Sequence, residues 1–188
     1  MKARAALIAV DGANGRALDA AAKRVAPAGR RALKGVSRFD ASGLFQQMLV
    51  ADDDAGSTSP RTLLLLYAAD LAFRLRWEIE PALTEGQSVV AAPYVETAVA
   101  FGCACGLSRK WLRNLFRFAR KPSERRTVDA PPGPPGPPTV GFVEFACAQL
   151  AQPDGPWSER KLAARTRGYL RAQGRRSPAR RSIRRRSG

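Results

Sequence analysis

The residues best placed to do chemistry sit where a short apolar run meets a glycine-rich turn. Ala5 to Val10 is continuously apolar and gives way to Asp11-Gly12-Ala13-Asn14-Gly15, then Arg16 and a helical stretch over Ala17 to Val25. Strand, glycine-rich loop and helix in that order open an α/β unit. Ligands of such folds bind outside the carboxyl ends of the strands. A second polar cluster, Arg38, Asp40 and Ser42, follows a short strand over Val36 to Phe39. It reads equally as pocket lining or as a turn in which Asp40 or Ser42 caps the next helix. Other chemistries are closed off. The chain has no histidine, so an imidazole base, a serine triad of the usual kind and a His-ligated metal are excluded. Cys103, Cys105 and Cys147 form no C-x-x-C pair, which indicates neither a zinc site nor a disulfide framework and fits a reducing, cytoplasmic setting. Asp52-Asp53-Asp54 reads as a solvated acidic turn, because consecutive side chains point in different directions and no further ligands follow.

Positioning these residues requires a sheet covered by helices. Leu7 to Val10 and Val89 to Ala92 are continuous apolar runs, as buried parallel strands are. Arg125 to Ala130 is a poorer strand candidate because of its two arginines. Asp40 can cap a helix running to Leu49. Ser59-Pro60 opens a long helix to Leu83, with Ser59 as N-cap and proline in the first turn. Further helices are expected over Val95 to Cys105, Ser108 to Ala119, Thr139 to Leu150 and Trp157 to Ala172. The run Pro131-Pro132-Gly133-Pro134-Pro135-Gly136-Pro137-Pro138 must be extended and polyproline-like. It reads as a linker first and as a ligand for an SH3-type domain second. The expected fold is α/β, three-layer α/β/α with a parallel sheet: a core over 1–130, the linker over 131–138, and helices completing the domain over 139–173.

The order of these segments resembles the thymidylate kinase family of P-loop nucleoside monophosphate kinases, over roughly residues 5 to 130. Leu7-Ile8-Ala9-Val10-Asp11-Gly12-Ala13-Asn14-Gly15 looks like the strand and opening of that family's phosphate loop. Ser59-Pro60-Arg61, Leu66-Tyr67-Ala68-Ala69-Asp70 and Ile79-Glu80-Pro81-Ala82-Leu83 look like its long substrate-side helix. Gly86-Gln87-Ser88-Val89-Val90-Ala91-Ala92-Pro93-Tyr94 stands where a strand leads into an Asp-Arg-Tyr motif. The resemblance implies a P-loop kinase fold, ATP and Mg²⁺ as cofactors if the activity survives, and a thymidine nucleotide as ligand. It implies Asp11, Gly12, Asn14, Gly15 and Arg16 as the phosphate-loop residues. Arg38, Asp40, Tyr67 and Tyr94 are the candidates for the acceptor pocket.

The departures are as informative as the matches. A phosphate loop needs glycine N–H groups, a lysine on the β/γ-phosphates and a hydroxyl for Mg²⁺. Ala17, Leu18 and Asp19 stand at the third glycine, the lysine and the hydroxyl. A carboxylate there repels a triphosphate. Ala92 and Pro93 replace the Asp and Arg before Tyr94, and Leu71 replaces the arginine after Asp70. Arg16 is the one candidate for a substitute cation. Tyr67 stands either on a base or in the core, as a core aromatic by preference. The expectation is a degenerate kinase that binds a nucleotide or a protein partner, with an active kinase using Arg16 as the alternative.

A third reading rests on charge. The net charge is +16 over 188 residues. Residues 159–188 carry twelve of the 32 basic groups and one acid. The Arg-rich stretch over 174–188 reads as a disordered tail, too polar to bury a core. Such a tail binds nucleic acid with a steep salt dependence, or only solubilises. Arg113, Arg117 and Arg120 beside Trp111, Phe116 and Phe118 read as nucleic-acid contacts or as a basic amphipathic face. No apolar run reaches the roughly 18 residues of a membrane span. The family resemblance makes a homodimer plausible.

Overall fold

A computed structural model of the chain describes residues 5–25, 33–50, 58–150 and 158–176. Four strands, β1 (Leu7–Gly12), β2 (Leu33–Arg38), β3 (Ser88–Ala92) and β4 (Glu124–Val128), form one parallel sheet in the order β2-β3-β1-β4. The expected α/β fold and all four strands are present. β1 is central and fully buried, because its residues are apolar on both faces: Leu7 and Ala9 look to one side, Ile8 and Val10 to the other. The arginines of β4 are tolerated because it is an edge strand, paired only with β1. Arg125 reaches Glu96 at 2.5 Å and Arg126 reaches Glu124 at 2.7 Å.

Helices cover both faces. α1 (Gly15–Val25) packs Leu18, Ala22 and Val25 against Ile8, Val10, Val90 and Ala92. The larger core on the opposite face gathers α2 (Leu44–Val50), α3 (Pro60–Arg74), α5 (Val95–Ala104), α6 (Arg109–Leu115), α7 (Phe142–Leu150) and α8 (Glu159–Arg176). α6 stops four residues before the expected end. α8 runs four residues past its own and includes the backbone of 174–176; the remainder of the Arg-rich stretch, and Asp52 to Asp54, lie outside the described residues.

The long helix expected over 60–83 is continuous but not uniform. α3 passes through a π-helical segment, Leu75–Ile79, into α4 (Glu80–Thr84). The cause is local. Pro81 has no N–H to give the carbonyl four residues back, and its ring crowds that carbonyl. The helix widens, so the Glu80 N–H donates to Leu75 O instead. The expected helix over 139–150 begins instead as a 3₁₀ turn, Pro138–Val140. Gly141, at φ 133°, separates it from α7.

Candidate functional site

The carboxyl edge of the sheet is where the sequence places chemistry, and its centre is the start of α1. Asn14 caps this helix: its Oδ1 accepts from the Ala17 N–H at 2.8 Å, and its Nδ2 donates to Pro131 O at 2.6 Å. The next N–H, on Gly15, donates at 2.9 Å to Oε1 of Glu144, which arrives from the first turn of α7. The same oxygen accepts from the Gly133 N–H at 3.3 Å. Glu144 is buried, and desolvation raises its pKa above the usual carboxylate range against the pull of those two N–H groups. A helix N-terminus carries partial positive charge and exposed N–H groups, and so attracts an anion. Here the anion is the chain's own carboxylate. Gly15 must be glycine, since a Cβ there would lie 1.8 Å from Val140 O.

Asp11 plays the same part for another helix. Its Oδ1 accepts from the Tyr94 N–H, the Thr97 N–H and the Thr97 hydroxyl, each at 2.9 Å, at the start of α5. It is fully enclosed, and burial raises its pKa from 3.8 to about 6 despite those bonds. Gly12 donates to Thr97 Oγ1 at 3.1 Å. Asp40, at φ 59°, caps α2, accepting from the Phe45 and Gln46 N–H groups at 2.9 and 3.0 Å. Of the two readings of the Arg38–Ser42 cluster, the structure gives Asp40 the capping geometry. Ser42 donates through its hydroxyl and its N–H to Asp70.

Tyr67 is a core aromatic. Its ring lies 4.5 Å from that of Phe142 and 6.1 Å from that of Phe39, and its hydroxyl donates to Tyr94 O at 2.8 Å. Burial raises its pKa. Tyr94 donates to Arg120 O at 2.7 Å and is pushed up to about 12, also by burial. Tyr67 lines no crevice among the described residues, whereas Tyr94 lines a small one of about 170 Å³ with Asp11, Glu96 and Arg120.

Two charged groups at this edge were not singled out from the sequence. Glu144 is one. The other is Arg74, whose guanidinium is fully enclosed between the ends of β2 and β3. Its Nε donates to Ser37 Oγ at 2.9 Å, and Nη2 donates to Ser37 O at 2.8 Å and Pro93 O at 2.9 Å. Nη1 stands 3.9 Å from Asp70 Oδ2 and has no hydrogen-bond partner among the described residues. Each carries a local signal. Glu144 is the one acid in the apolar segment Phe142–Leu150, and Asp70 and Arg74, four apart, are the charged residues of the stretch Leu63–Arg74.

A crevice lies open beside the start of α1. It has a volume of about 600 Å³ and lies between the start of α1 and the ends of β2 and β3. Arg16, Lys23 and Arg38 line it with Asp19, which holds Lys23 at 2.6 Å and Arg38 at 2.9 Å. These partners, Lys23 first, lower the Asp19 pKa. Three cations against one acid suit an anionic ligand of nucleotide size. Leu18, where the resemblance puts a phosphate-binding lysine, is 4% exposed and packed in the core beneath the crevice. The residues fit Mg²⁺-ATP poorly: among the described residues no lysine reaches the start of α1, Asp19, where the resemblance puts a hydroxyl, is an engaged carboxylate, and Glu144 takes the Gly15 N–H. The three cysteines are buried, and burial raises the thiols of Cys105 and Cys147 to about 12, so they stay protonated. Among the described residues no cluster of three metal-ligating side chains occurs, and no helix is long and apolar enough to cross a membrane.

No family model matches the chain. A thymidylate kinase of Desulfosudis oleivorans is 43% identical over 88 residues, which is 45% of this chain and 41% of that protein. A probable thymidylate kinase of Pyrobaculum aerophilum is 34% identical over 77 residues, 41% of this chain and 40% of its own length. The chain thus spans about two fifths of the curated relatives it matches. The crystal structure of thymidylate kinase from Ehrlichia chaffeensis superposes with a TM-score of 0.64 over 94% of this chain and 90% of that one, at 12% identity. Over these stretches the chain is similar in sequence to thymidylate kinases, and over nearly its whole length it shares the fold of one.

Proposed function

We propose that this chain is a degenerate thymidylate kinase-like protein that binds a nucleotide or a protein partner and transfers phosphate weakly or not at all. The observation that carries this reading is the start of α1. The N–H that would face a phosphate donates to Glu144, and the lysine position is a buried leucine. Phosphoryl transfer depends on positioning and on neutralising charge, and this end of the edge supplies a negative group instead. Binding is supported by the crevice of about 600 Å³, whose Arg16, Lys23 and Arg38 suit the phosphate of a thymidine nucleotide.

A second reading, an active nucleotide kinase with Arg16 as substitute cation, has one observation in its favour. The Arg16 side chain is exposed and lines that crevice. One pair of measurements separates the two. Thermal melting is followed with dTMP, TTP, ATP and ATP plus Mg²⁺, and ADP release is followed with ATP, Mg²⁺ and dTMP. A ligand at about 100 times its dissociation constant adds roughly 2.7 kcal/mol, which raises the midpoint by roughly 5–10 °C. The expected result is a shift with a thymidine nucleotide and no ADP release. Sustained ADP release dependent on dTMP would overturn the proposal and assign Arg16 the cation's role.

A further inference from the structure

The proline- and glycine-rich run has a shape that the crevice does not use. Proline holds φ near −65°, and a polyproline II helix has three residues per turn, so residues three apart share a ridge. Pro137, at φ −63° and ψ 169°, lies in the extended region next to that geometry. Pro131, Pro134 and Pro137 are exposed along one such ridge, and Pro135 is exposed beside it. The two glycines turn inward. A Cβ on Gly133 would stand 3.4 Å from Glu144 Oε1, and one on Gly136 would stand 3.1 Å from Val140 Cγ2. Glycine therefore occupies the ridge that approaches the body of the protein, and proline the ridge that faces outward. The run is also fastened. Asn14 holds Pro131 O, Glu144 holds the Gly133 N–H, and Pro138 is buried at the start of the 3₁₀ turn.

Beside the ridge runs a groove of about 670 Å³, walled on its far side by α8. Arg160, Arg167 and Arg171 line that wall. Arg167 and Arg171 share the carboxylate of Asp129, each at 2.7 Å, while Arg160 is exposed with no partner among the described residues. A ridge of fixed prolines loses little conformational freedom on binding, and its prolines at three-residue spacing fit a groove lined by aromatic rings. The arginine wall alongside calls for acidic groups at the rim of the partner.

We propose that residues 131–137 form a docking ridge for a protein domain that reads polyproline II helices, one with an aromatic-lined groove and an acidic rim. This inference uses neither Leu18 nor the nucleotide crevice, so it stands or falls apart from the kinase reading. The test titrates the full chain against a set of purified SH3 and WW domains, with binding followed by calorimetry. At least one domain is expected to bind saturably, with affinity falling as salt rises. The double variant Pro134→Ala/Pro137→Ala is expected to weaken that binding about tenfold or more, because it frees the ridge and removes two ring contacts. Arg160→Glu is expected to weaken it as well, through the acidic rim. Melting curves establish that each variant folds. Should the double variant melt early, the milder single variant Pro134→Ala takes its place in the same comparison. Absence of binding to every domain overturns the proposal. So does binding that survives both variants, and so does binding that needs Arg160 but ignores the prolines.

Discussion

The two halves of the sheet's carboxyl edge have both been filled by the chain's own charges, and in opposite ways. At the start of α1, a positive helix end holds a carboxylate. Between the ends of β2 and β3, the carbonyls of Ser37 and Pro93 hold a guanidinium. The backbone geometry of each place selects the sign of the charge. The delivery differs. Arg74 comes from within α3 and is fully enclosed, so it cannot leave without opening the core. Glu144 comes from the first turn of α7, just beyond the proline run and a 3₁₀ turn, and its partner Gly15 is 129 residues away in sequence. One charge is built into the core; the other is a plug on a connection. That difference fixes what each substitution should cost.

Arg74→Leu is expected to have the largest effect. It removes three hydrogen bonds and leaves Asp70 buried without a cation nearby. Breaking a buried pair in this way costs about 3–5 kcal/mol. Urea unfolding reads the loss directly. A cost below about 1 kcal/mol would mean that water reaches the site and that the guanidinium is not part of the core.

Glu144→Ala should cost less, about 3 kcal/mol, since it unmakes two hydrogen bonds to a charged acceptor and strands two N–H donors. The two variants should also differ in kind. The alanine variant leaves a vacant seat for an anion at the start of α1, so millimolar phosphate or sulfate should restore part of its melting temperature. Arg74→Leu should gain nothing from the same ions. Equal responses in the two variants would erase the distinction between plug and core.

This contrast also explains which parts were legible in the sequence. β1 and β3 stand out as apolar runs, and the Asp40 and Ser59 positions carry capping chemistry that depends only on neighbours; the cap formed by Asn14 does not stand out in the turn-rich stretch that holds it. Leu18 stands where the family resemblance puts a lysine, and that position is read from the motif alone. The seats of Glu144 and Arg74 were not visible, since each is defined by groups far off in the chain: Gly15 for one, Ser37 and Pro93 for the other. Spacing shows that a lone acid or an i, i+4 pair is buried in an apolar helix. It does not show which distant backbone group receives it. The π segment is hidden for a different reason: Pro81 lies near the end of a helical pattern that continues past it, and its missing N–H acts on the turn before it.

The smallest effect at neutral pH is expected at Asp11, and its value lies in the sign. Glu144 and Asp11 are both buried carboxylates at helix starts, and both have raised pKa values, so the same argument bears on each. A folded-state pKa of about 6 against 3.8 means that the native state binds more protons than the unfolded chain between those values. Stability from this group is therefore complete below about pH 4 and is lost as pH rises to about 6, by about 3 kcal/mol. Asn keeps an oxygen for the Tyr94 and Thr97 donors but brings a buried NH₂ that needs acceptors. Asp11→Asn should thus be destabilising by about 1–2 kcal/mol at pH 4, where the native carboxyl is already neutral. At pH 7.5 the wild-type carboxylate bears its full ionisation penalty, and the variant should equal or exceed it by about 1 kcal/mol. Urea unfolding of both proteins at the two pH values checks this, because every other titrating group is shared and cancels in the difference. Two parallel stability profiles would mean that Asp11 is hydrated in solution, and that the start of α5 is held open where the start of α1 is closed.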